Sequence, residues 1–387
     1  MISNTPYSGD QFGYYTVGEN FKTYSKLLAI EETKRTGIHL KWHFNQPQYE
    51  MYNWTIEPTE SLDELYRQRA QQIRDNYDYI VVWYSGGADS WCVLDTFLKN
   101  NIKIDEIGQI HSYEGDNNKN SVFNEEIFYT AIPATQAIIN DHPEINHRVV
   151  DIRKIISDLY LRPDVKYDYI YNIKGIMSAN SLARSYLREY IDDYKKLIDS
   201  GKRVCFIWGS EKPRLKLINN KYHTCFIDVF SETNLRLQSQ VSRGYFDEWF
   251  FWGADCAPIV AKQSHILMRV LSTENNNSSW FVNSGGAHIP VTRSGKYLRN
   301  DIYHTLIYPG WDPATLVAPK PRNLLLSERD HWFWNQGVGT SKAVQNAQGG
   351  IKELLKIVGN YWINDTNDLT RGIKGCLNTY QVEKNDI

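Results

Sequence analysis

The stretch YIVVWYSGGADSW, residues 79–91, constrains the fold more than any other part of the chain. Its apolar start suits a buried strand, and Gly86 with Gly87 then lets the backbone approach a neighbouring group closely. A helical pattern follows at once, so backbone N–H groups and the hydroxyls of Ser85 and Ser90 should surround one concavity at a helix N-terminus. The amides and the helix dipole favour an anion there, which predicts a site for pyrophosphate.

Residues 85–90 are called the phosphate loop below. The predicted ligand-binding residues of the loop are Ser85, Gly86, Gly87, Ala88, Asp89 and Ser90. Asp89 repels a phosphate directly, so we expect it to act through a metal ion or to shape the loop by hydrogen bonding. The alternative is an ordinary strand-to-helix turn. A near-copy, FVNSGGAH at 281–288, lacks the Asp-Ser pair, so the glycines alone do not indicate a phosphate site.

Apolar runs alternate with helical periodicity between residues 77 and 230. The expected strands are YIVVWY, EIGQIHSY, HRVVDI, RVCFIWG and HTCFIDVF, and a long helix is expected over 182–197. This alternation predicts an α/β fold with a doubly wound, mainly parallel sheet in a nucleotide-binding domain, 77–230. An N-terminal extension, 1–76, should pack on that core through the helix SLDELYRQRAQQIRDNY. A C-terminal region, 231–387, has poorer periodicity and is expected to serve the substrate.

A second cluster of polar residues lies in RVCFIWGSEKPRLKL, where Gly209 follows a predicted strand. The carboxyl ends of neighbouring parallel strands form the edge at which open α/β sheets bind ligands. We expect Gly209 and Glu211 to contact the nucleotide, and Lys212 and Arg214, together with Asp89, to be catalytic. Glu211 should hold Mg2+ with Asp89 or orient Lys212. The alternative is a solvated charged loop.

A third candidate is the helix predicted in WFFWGADCAPIVAKQSHILMR. With Pro258 in the first turn, Lys262, His265 and Arg269 lie on one face. Lys262 and His265 are therefore expected to bind the nucleotide or a second substrate, with an amphipathic surface helix as the alternative. Weaker candidate metal ligands, which capping explains equally well, are Asp116, Glu125 and Glu126.

The phosphate loop resembles the PP-loop of the adenine nucleotide alpha hydrolase superfamily, the N-type ATP pyrophosphatases, over about residues 75–230. The whole chain is also similar to a group of PP-loop proteins from tailed bacteriophages. The resemblance implies a HUP-like fold, ATP and Mg2+ as cofactors, and cleavage of ATP to AMP and pyrophosphate. It further implies activation of a small molecule or a nucleobase, in phage nucleotide or DNA modification.

Two alternatives to this adenylating enzyme stay open. One is sulfur transfer resembling the sulfate reductases, in which a catalytic cysteine stands near the C-terminus, as Cys376 does here. The Glu before that cysteine and the Gly-x-His after it are absent, which counts against a reductase. The other is a nucleotide-binding module without turnover.

The charge balance and the cysteines limit which binding partners and which cellular compartment the sequence predicts. Lys plus Arg is 43 and Asp plus Glu is 45, so no global field recruits nucleic acid or an anionic membrane. Only aromatic residues interleaved with basic ones, in 202–222 and 249–269, motivate nucleic-acid binding. The five scattered cysteines form no zinc or disulfide pattern. No secretion signal or bilayer-length apolar run is present, so we expect a cytoplasmic protein.

Overall fold

The structure is a computed structural model that describes residues 13–111, 125–152, 186–209, 213–228, 244–273, 278–285, 289–316 and 376–384, with a few single residues between these ranges. Its helices are α1 (Lys26–Thr36), α2 (Gln48–Met51), α3 (Leu62–Asn76), α4 (Ala88–Lys99), α5 (Ile132–Asp141), α6 (Asp192–Asp199), α7 (Ala257–Leu271) and α8 (Asn300–Ile307). A π-helical turn, Glu126–Ala131, leads into α5, and short 3-10 turns occur at Leu187–Tyr190, Ser278–Trp280 and Pro313–Thr315. No helix among these residues combines the length and apolar composition needed to cross a bilayer.

The strands among the described residues form four sheets. They are β1 (Tyr14–Val17), β2 (Phe21–Thr23), β3 (Leu40–His43), β4 (Tyr79–Trp83), β5 (Glu106–His111), β6 (Asn146–Asp151), β7 (Val204–Trp208), β8 (Arg214–Ile218), β9 (Lys221–Ile227), β10 (Tyr245–Trp249), β11 (Phe281–Val282), β12 (Tyr297–Leu298) and β13 (Leu377–Gln381). The largest sheet has the order β10-β7-β4-β5-β6, and all of its strands are parallel. The predicted α/β class with a parallel sheet is therefore confirmed, and the arrangement is compatible with a Rossmann-like fold.

The order of the parallel strands places the phosphate loop at a particular point of the sheet. From β4 the chain moves outward through β5 to β6, then returns to the other side of β4 for β7 and β10. The direction of winding therefore reverses between β4 and β7. In open α/β sheets, ligands bind outside the carboxyl ends of the strands at such a topological switch point.

Both faces of the parallel sheet carry buried side chains, as the apolar run in β4 predicts. On one face, Ile80 and Val82 belong to a core shared with α3 and α4. On the other face, the ring of Tyr194 in α6 packs edge-on against Phe206 at a centroid distance of 5.0 Å. The sheet thus forms a rigid layer that fixes the ends of its strands.

Helix α3 begins and ends close to the predicted positions. Its N-cap is Ser61, whose hydroxyl accepts a hydrogen bond from the N–H of Glu64 at 3.2 Å. This is the first half of the predicted capping box. The helix packs against α4 and α7, so the expected contact of the N-terminal extension with the core is present.

The predicted helix over 182–197 is wrong in its continuity. Ile191 has extended dihedral angles, φ −113° and ψ 100°, and separates the 3-10 turn from α6; residues 182–185 lie outside the described residues. Ile191 and Tyr194 are both buried, so apolar spacing is preserved across the break. Periodicity alone does not reveal a one-residue interruption of this kind.

The fifth predicted strand of the parallel sheet differs from expectation. HTCFIDVF contributes β9, which lies between β8 and β13 in a separate antiparallel sheet. The edge of the parallel sheet is instead β10, which pairs with β7. The parallel sheet therefore extends beyond residue 230, where the sequence placed the domain boundary.

An aromatic cluster joins the N-terminal extension to the antiparallel sheet. Phe44, Tyr49 and Trp54 pack around Phe226 with ring centroids 5.0 to 5.8 Å apart. Nearby, the ammonium of Lys26 lies 2.5 Å from a carboxylate oxygen of Asp228, and both side chains are buried. The numerous aromatic residues of the chain thus serve core packing here.

Candidate functional site

The phosphate loop connects β4 to α4 in the predicted strand-turn-helix order. Gly87 is the N-cap of α4, and Gly86 has a φ of +88°, in the left-handed region that favours glycine. A Cβ on Gly86 would lie 3.2 Å from Cγ of Glu126 and 3.3 Å from the backbone N of Ala131. Conformation and space therefore both require glycine at this position.

Both loop hydroxyls take part in hydrogen bonds within the loop. Ser90 Oγ accepts from the N–H of Ser85 and donates to the carbonyl of Gly87, each at 3.1 Å. Its oxygen also lies 3.1 Å from Ser85 Oγ, and since Ser90 has donated its only proton, Ser85 is the donor in that pair. These bonds hold the turn in one shape at the start of α4.

The end of β7 packs directly against the first turn of α4. Trp208 is the register partner of Trp83, and Gly209 follows it. A Cβ on Gly209 would lie 2.7 Å from the carbonyl oxygen of Asp89 and from the backbone N of Ser90. The predicted adjacency of the two stretches is thus confirmed, while ligand binding by Gly209 stays a prediction.

The remaining residues of the second cluster divide into two groups. Glu211 and Lys212 lie outside the described residues. Arg214 is the first residue of β8 and is buried, with 7% of its surface exposed, rather than part of a solvated loop. It stands opposite Cys225 in the antiparallel sheet. The expected contact of Arg214 with phosphate stays a prediction.

The basic face of α7 contacts the N-terminal extension. Pro258 lies in the first turn of the helix, as predicted. Lys262 Nζ donates to the carbonyl of Pro58 at 3.0 Å and lies 2.9 Å from a carboxylate oxygen of Glu57. His265 Nε2 is 3.1 Å from the carbonyl oxygen of Trp54, and burial lowers the pKa of its imidazole, so it is neutral at pH 7.

Arg269 also pairs with Glu57, so the predicted common face of the three basic side chains is confirmed. In the described part of the chain, neither Lys262 nor His265 hydrogen-bonds the phosphate loop. The sequence could not identify this partner, because Glu57 lies about two hundred residues earlier in the chain. The structure therefore places Lys262 and His265 in contact with residues 54–58, and their binding of a nucleotide or second substrate stays a prediction.

One residue at the loop was not among the sequence candidates. The hydroxyl of Tyr308, directly after α8, donates to Oδ1 of Asp89. Burial and the charge of Asp89 raise the pKa of Tyr308 well above its usual value, so the hydroxyl keeps its proton. Three residues further on, the ring of Trp311 packs against Trp91 at 5.2 Å. No local pattern in the sequence marks Tyr308, which is 219 residues from Asp89.

Glu126 supplies a second acidic side chain beside the loop. It is buried in the π-helical turn, and its Cγ lies next to Gly86. Burial, together with the charge of Glu126, raises the pKa of Tyr84 to about 12. Of the weaker metal candidates, the structure therefore brings Glu126 to the loop, whereas Asp116 lies outside the described residues.

The described side chains around the loop do not form a metal site by themselves. A positive φ and close packing against Glu126 and Ala131 explain the glycine at position 86, and close packing against the first turn of α4 explains the glycine at position 209. Among the described residues, no group of three or more His, Cys, Asp or Glu side chains is arranged to hold a metal. Mg2+ commonly binds through one or two carboxylates plus substrate phosphates, and Asp89 suits that mode.

The five thiols lie in environments that favour their protonated form. Burial raises the pKa of Cys92 and Cys205 well above the usual range, and that of Cys225 and Cys256 to about 11. Burial and the neighbouring carboxylate of Asp228 raise the pKa of Cys376 to about 12. Since the thiolate is the reactive form, these sites do not favour sulfur chemistry.

Comparisons with known proteins complete the description of the site. No protein-family model matches the sequence, and no curated protein matches it either. The described fold and loop define an α/β protein with a parallel sheet and a glycine-dependent turn at its switch point. Function must therefore be inferred from the geometry of this site.

Proposed function

We propose that this protein binds ATP at the phosphate loop and cleaves it to AMP and pyrophosphate, so activating a small molecule or a nucleobase. One observation carries the proposal. The turn at Ser85–Ser90 lies at the switch point of the sheet, where Gly86 and Gly209 allow backbone to pack against backbone. This packing holds the N–H groups at the start of α4 at the carboxyl edge of the sheet, where a helix N-terminus favours an anion.

The proposed chemistry depends on positioning and charge more than on covalent protein groups. An oxygen of the second substrate attacks the α-phosphorus, the bond from that phosphorus to the bridging oxygen breaks, and pyrophosphate leaves. A second nucleophile then attacks the adenylated substrate, and the bond between the substrate and AMP breaks to release AMP. The N–H groups at the start of α4 stabilise the departing anion. Bound Mg2+ would neutralise charge on the phosphate oxygens, with Asp89 and Glu211 as its proposed ligands. Lys212 and Arg214 are the proposed cationic partners.

The two alternatives differ from this proposal in measurable ways. Sulfur transfer needs a reactive thiolate, and the raised pKa values of all five thiols disfavour it. A nucleotide-binding module would keep the loop and bind ATP without releasing pyrophosphate. Turnover therefore separates the module from the enzyme.

The test measures AMP and pyrophosphate released from Mg-ATP by purified protein, alone and with pools of metabolites or nucleobases. Ser85→Ala removes a loop hydroxyl. Ser294→Ala is the matched control, because Ser294 Oγ pairs with Thr292 Oγ1 at 3.0 Å outside the loop. Release that one pool stimulates, and that is lost in S85A but not in S294A, would support the proposal.

Two other outcomes are informative. Mg-ATP binding without release in any pool would favour the nucleotide-binding module. No binding at all by the wild-type protein would refute the phosphate loop as a nucleotide site.

A further inference from the structure

A short segment of the C-terminal region contacts both stretches that form the candidate site. The hydroxyl of Tyr303, in α8, donates to the carbonyl of Pro213 at 2.5 Å, just before β8. Tyr308 donates to Asp89, and Trp311 packs against Trp91 in the first turn of α4. The segment 303–311 therefore links the phosphate loop to the stretch that follows β7.

This segment is itself held in place by buried hydrogen bonds. The hydroxyl of Tyr66 in α3 donates to the carbonyl of Ile307 at 2.5 Å, and Gln263 in α7 donates to the same hydroxyl at 2.7 Å. The backbone N–H of Tyr308 donates to the carbonyl of His304 at 2.8 Å. Tyr308 is completely buried, with Phe251 at a ring-centroid distance of 5.4 Å. Its hydroxyl consequently has little freedom to leave Asp89.

The electrostatics of the loop make the orientation of Asp89 important. Asp89 is the second residue of α4, where the helix N-terminus favours negative charge. The same carboxylate repels a phosphate unless a cation or a hydrogen-bond donor offsets its charge. A donor on Oδ1 fixes the plane of the carboxylate and so decides which way its other oxygen faces.

We propose that Tyr308 is a positioning residue of the phosphate loop, whose hydroxyl holds the carboxylate of Asp89 in the orientation that a magnesium nucleotide requires. This inference rests on the proposed function, and it adds a residue from the C-terminal region to the site.

A matched control exists at the opposite end of the sheet. The hydroxyl of Tyr194 donates to Oε1 of Glu106 at 2.5 Å, and Glu106 is buried. Glu106 is the first residue of β5, so this pair lies at the amino edge of the parallel sheet, away from the phosphate loop. Tyr194→Phe therefore removes the same kind of contact without touching the candidate site.

The experiment measures the Kd of Mg-ATP by titration calorimetry for wild type, Y308F, D89N, the double variant and Y194F. A hydrogen bond to a charged group is strong enough that we expect Y308F and D89N each to raise Kd about tenfold. The double variant should bind about as weakly as D89N alone, because Tyr308 acts only through the carboxylate of Asp89. Y194F should stay within about twofold of wild type.

Two further measurements separate positioning from a purely structural role. The Mg2+ concentration that half-saturates ATP binding should rise in Y308F but not in Y194F. Asp89→Glu keeps Tyr308 and the charge but displaces the carboxylate by one methylene, so it should also weaken binding. D89E tests the positioning role even if Y308F does not fold.

Each contrary outcome overturns a defined part of the inference. If Y308F or D89E binds Mg-ATP as wild type does while S85A binds weakly, the positioning role is wrong and the loop function survives. If D89N binds Mg-ATP with the wild-type Kd, Asp89 is not part of the site and the positioning role of Tyr308 is wrong. If wild type does not bind Mg-ATP, the inference and the proposed function are both wrong.

Discussion

Gly209→Ala tests the close approach of β7 to α4 more directly than any other single substitution. The new Cβ would lie 2.7 Å from the carbonyl oxygen of Asp89 and from the backbone N and Cα of Ser90, whereas ordinary contact begins at 3.4 Å. Because all three neighbours are backbone atoms, no side chain can move aside. The end of β7 and the first turn of α4 must instead separate by about 0.7 Å, the difference between the two distances.

Overpacking of this kind typically costs about 1–3 kcal/mol of the free energy of unfolding. The separation also displaces the amides at the start of α4. Since nucleotide binding is proposed to use hydrogen bonds from these amides to a charged phosphate, we expect G209A to weaken Mg-ATP binding by about tenfold. Urea unfolding and calorimetry on the same samples measure the two effects.

Gly201→Ala is the matched control at the other end of β7. Gly201 has a φ of +84°, and a Cβ there would meet no atom within 4 Å. G201A therefore strains the backbone by about 1 kcal/mol without pushing on the loop, and nucleotide affinity should not change. If G209A unfolds at the wild-type urea concentration and binds Mg-ATP with wild-type affinity, the close approach of β7 does not order the loop.

Two further predictions concern groups outside the loop. Lys262→Gln should lower the free energy of unfolding by about 1 kcal/mol at most, because its partner Glu57 is partly exposed. It should leave the Kd of Mg-ATP within about twofold of wild type, and a tenfold rise in Kd would show that Lys262 contributes to the nucleotide site. Burial raises the pKa of Asp105, but hydrogen bonds from Lys103, Arg74 and the N–H of Ile80 outweigh burial and lower it overall. A lowered carboxyl pKa stabilises the fold above the usual value of about 4, and this stability is lost as the pH falls below that value. Urea unfolding of wild type and D105N should therefore differ at pH 7 and converge towards pH 3, and a constant difference would contradict this origin.

Local features of the sequence predicted most of the core elements. The apolar runs predicted β4, β5 and β7, because a strand buried on both faces is a short continuous apolar segment, and the edge strand β6 was predicted although its side chains are only partly buried. Residues that favour helix starts, together with apolar residues at helical spacing, predicted α3, α4 and α7. The phosphate loop was also identified locally, since its glycines and hydroxyls lie within six consecutive residues.

The tertiary structure decided the features that depend on distant contacts. Pairing with β7 made 245–249 the edge of the parallel sheet, and pairing with β8 and β13 assigned β9 to another sheet. The partners of side chains were decided in the same way. The sequence pattern around Lys262 is compatible with a contact either to a phosphate or to Glu57, and only the tertiary structure shows the contact to Glu57.

The clearest case is Tyr308, whose role at Asp89 depends on a contact across 219 residues. The sequence by itself determined which short segments become strands, helices and a glycine-dependent turn, because hydrophobic periodicity and backbone sterics act over a few residues. Only the packed chain determined which of those segments meet, because burial and long-range hydrogen bonds select partners that no local pattern specifies.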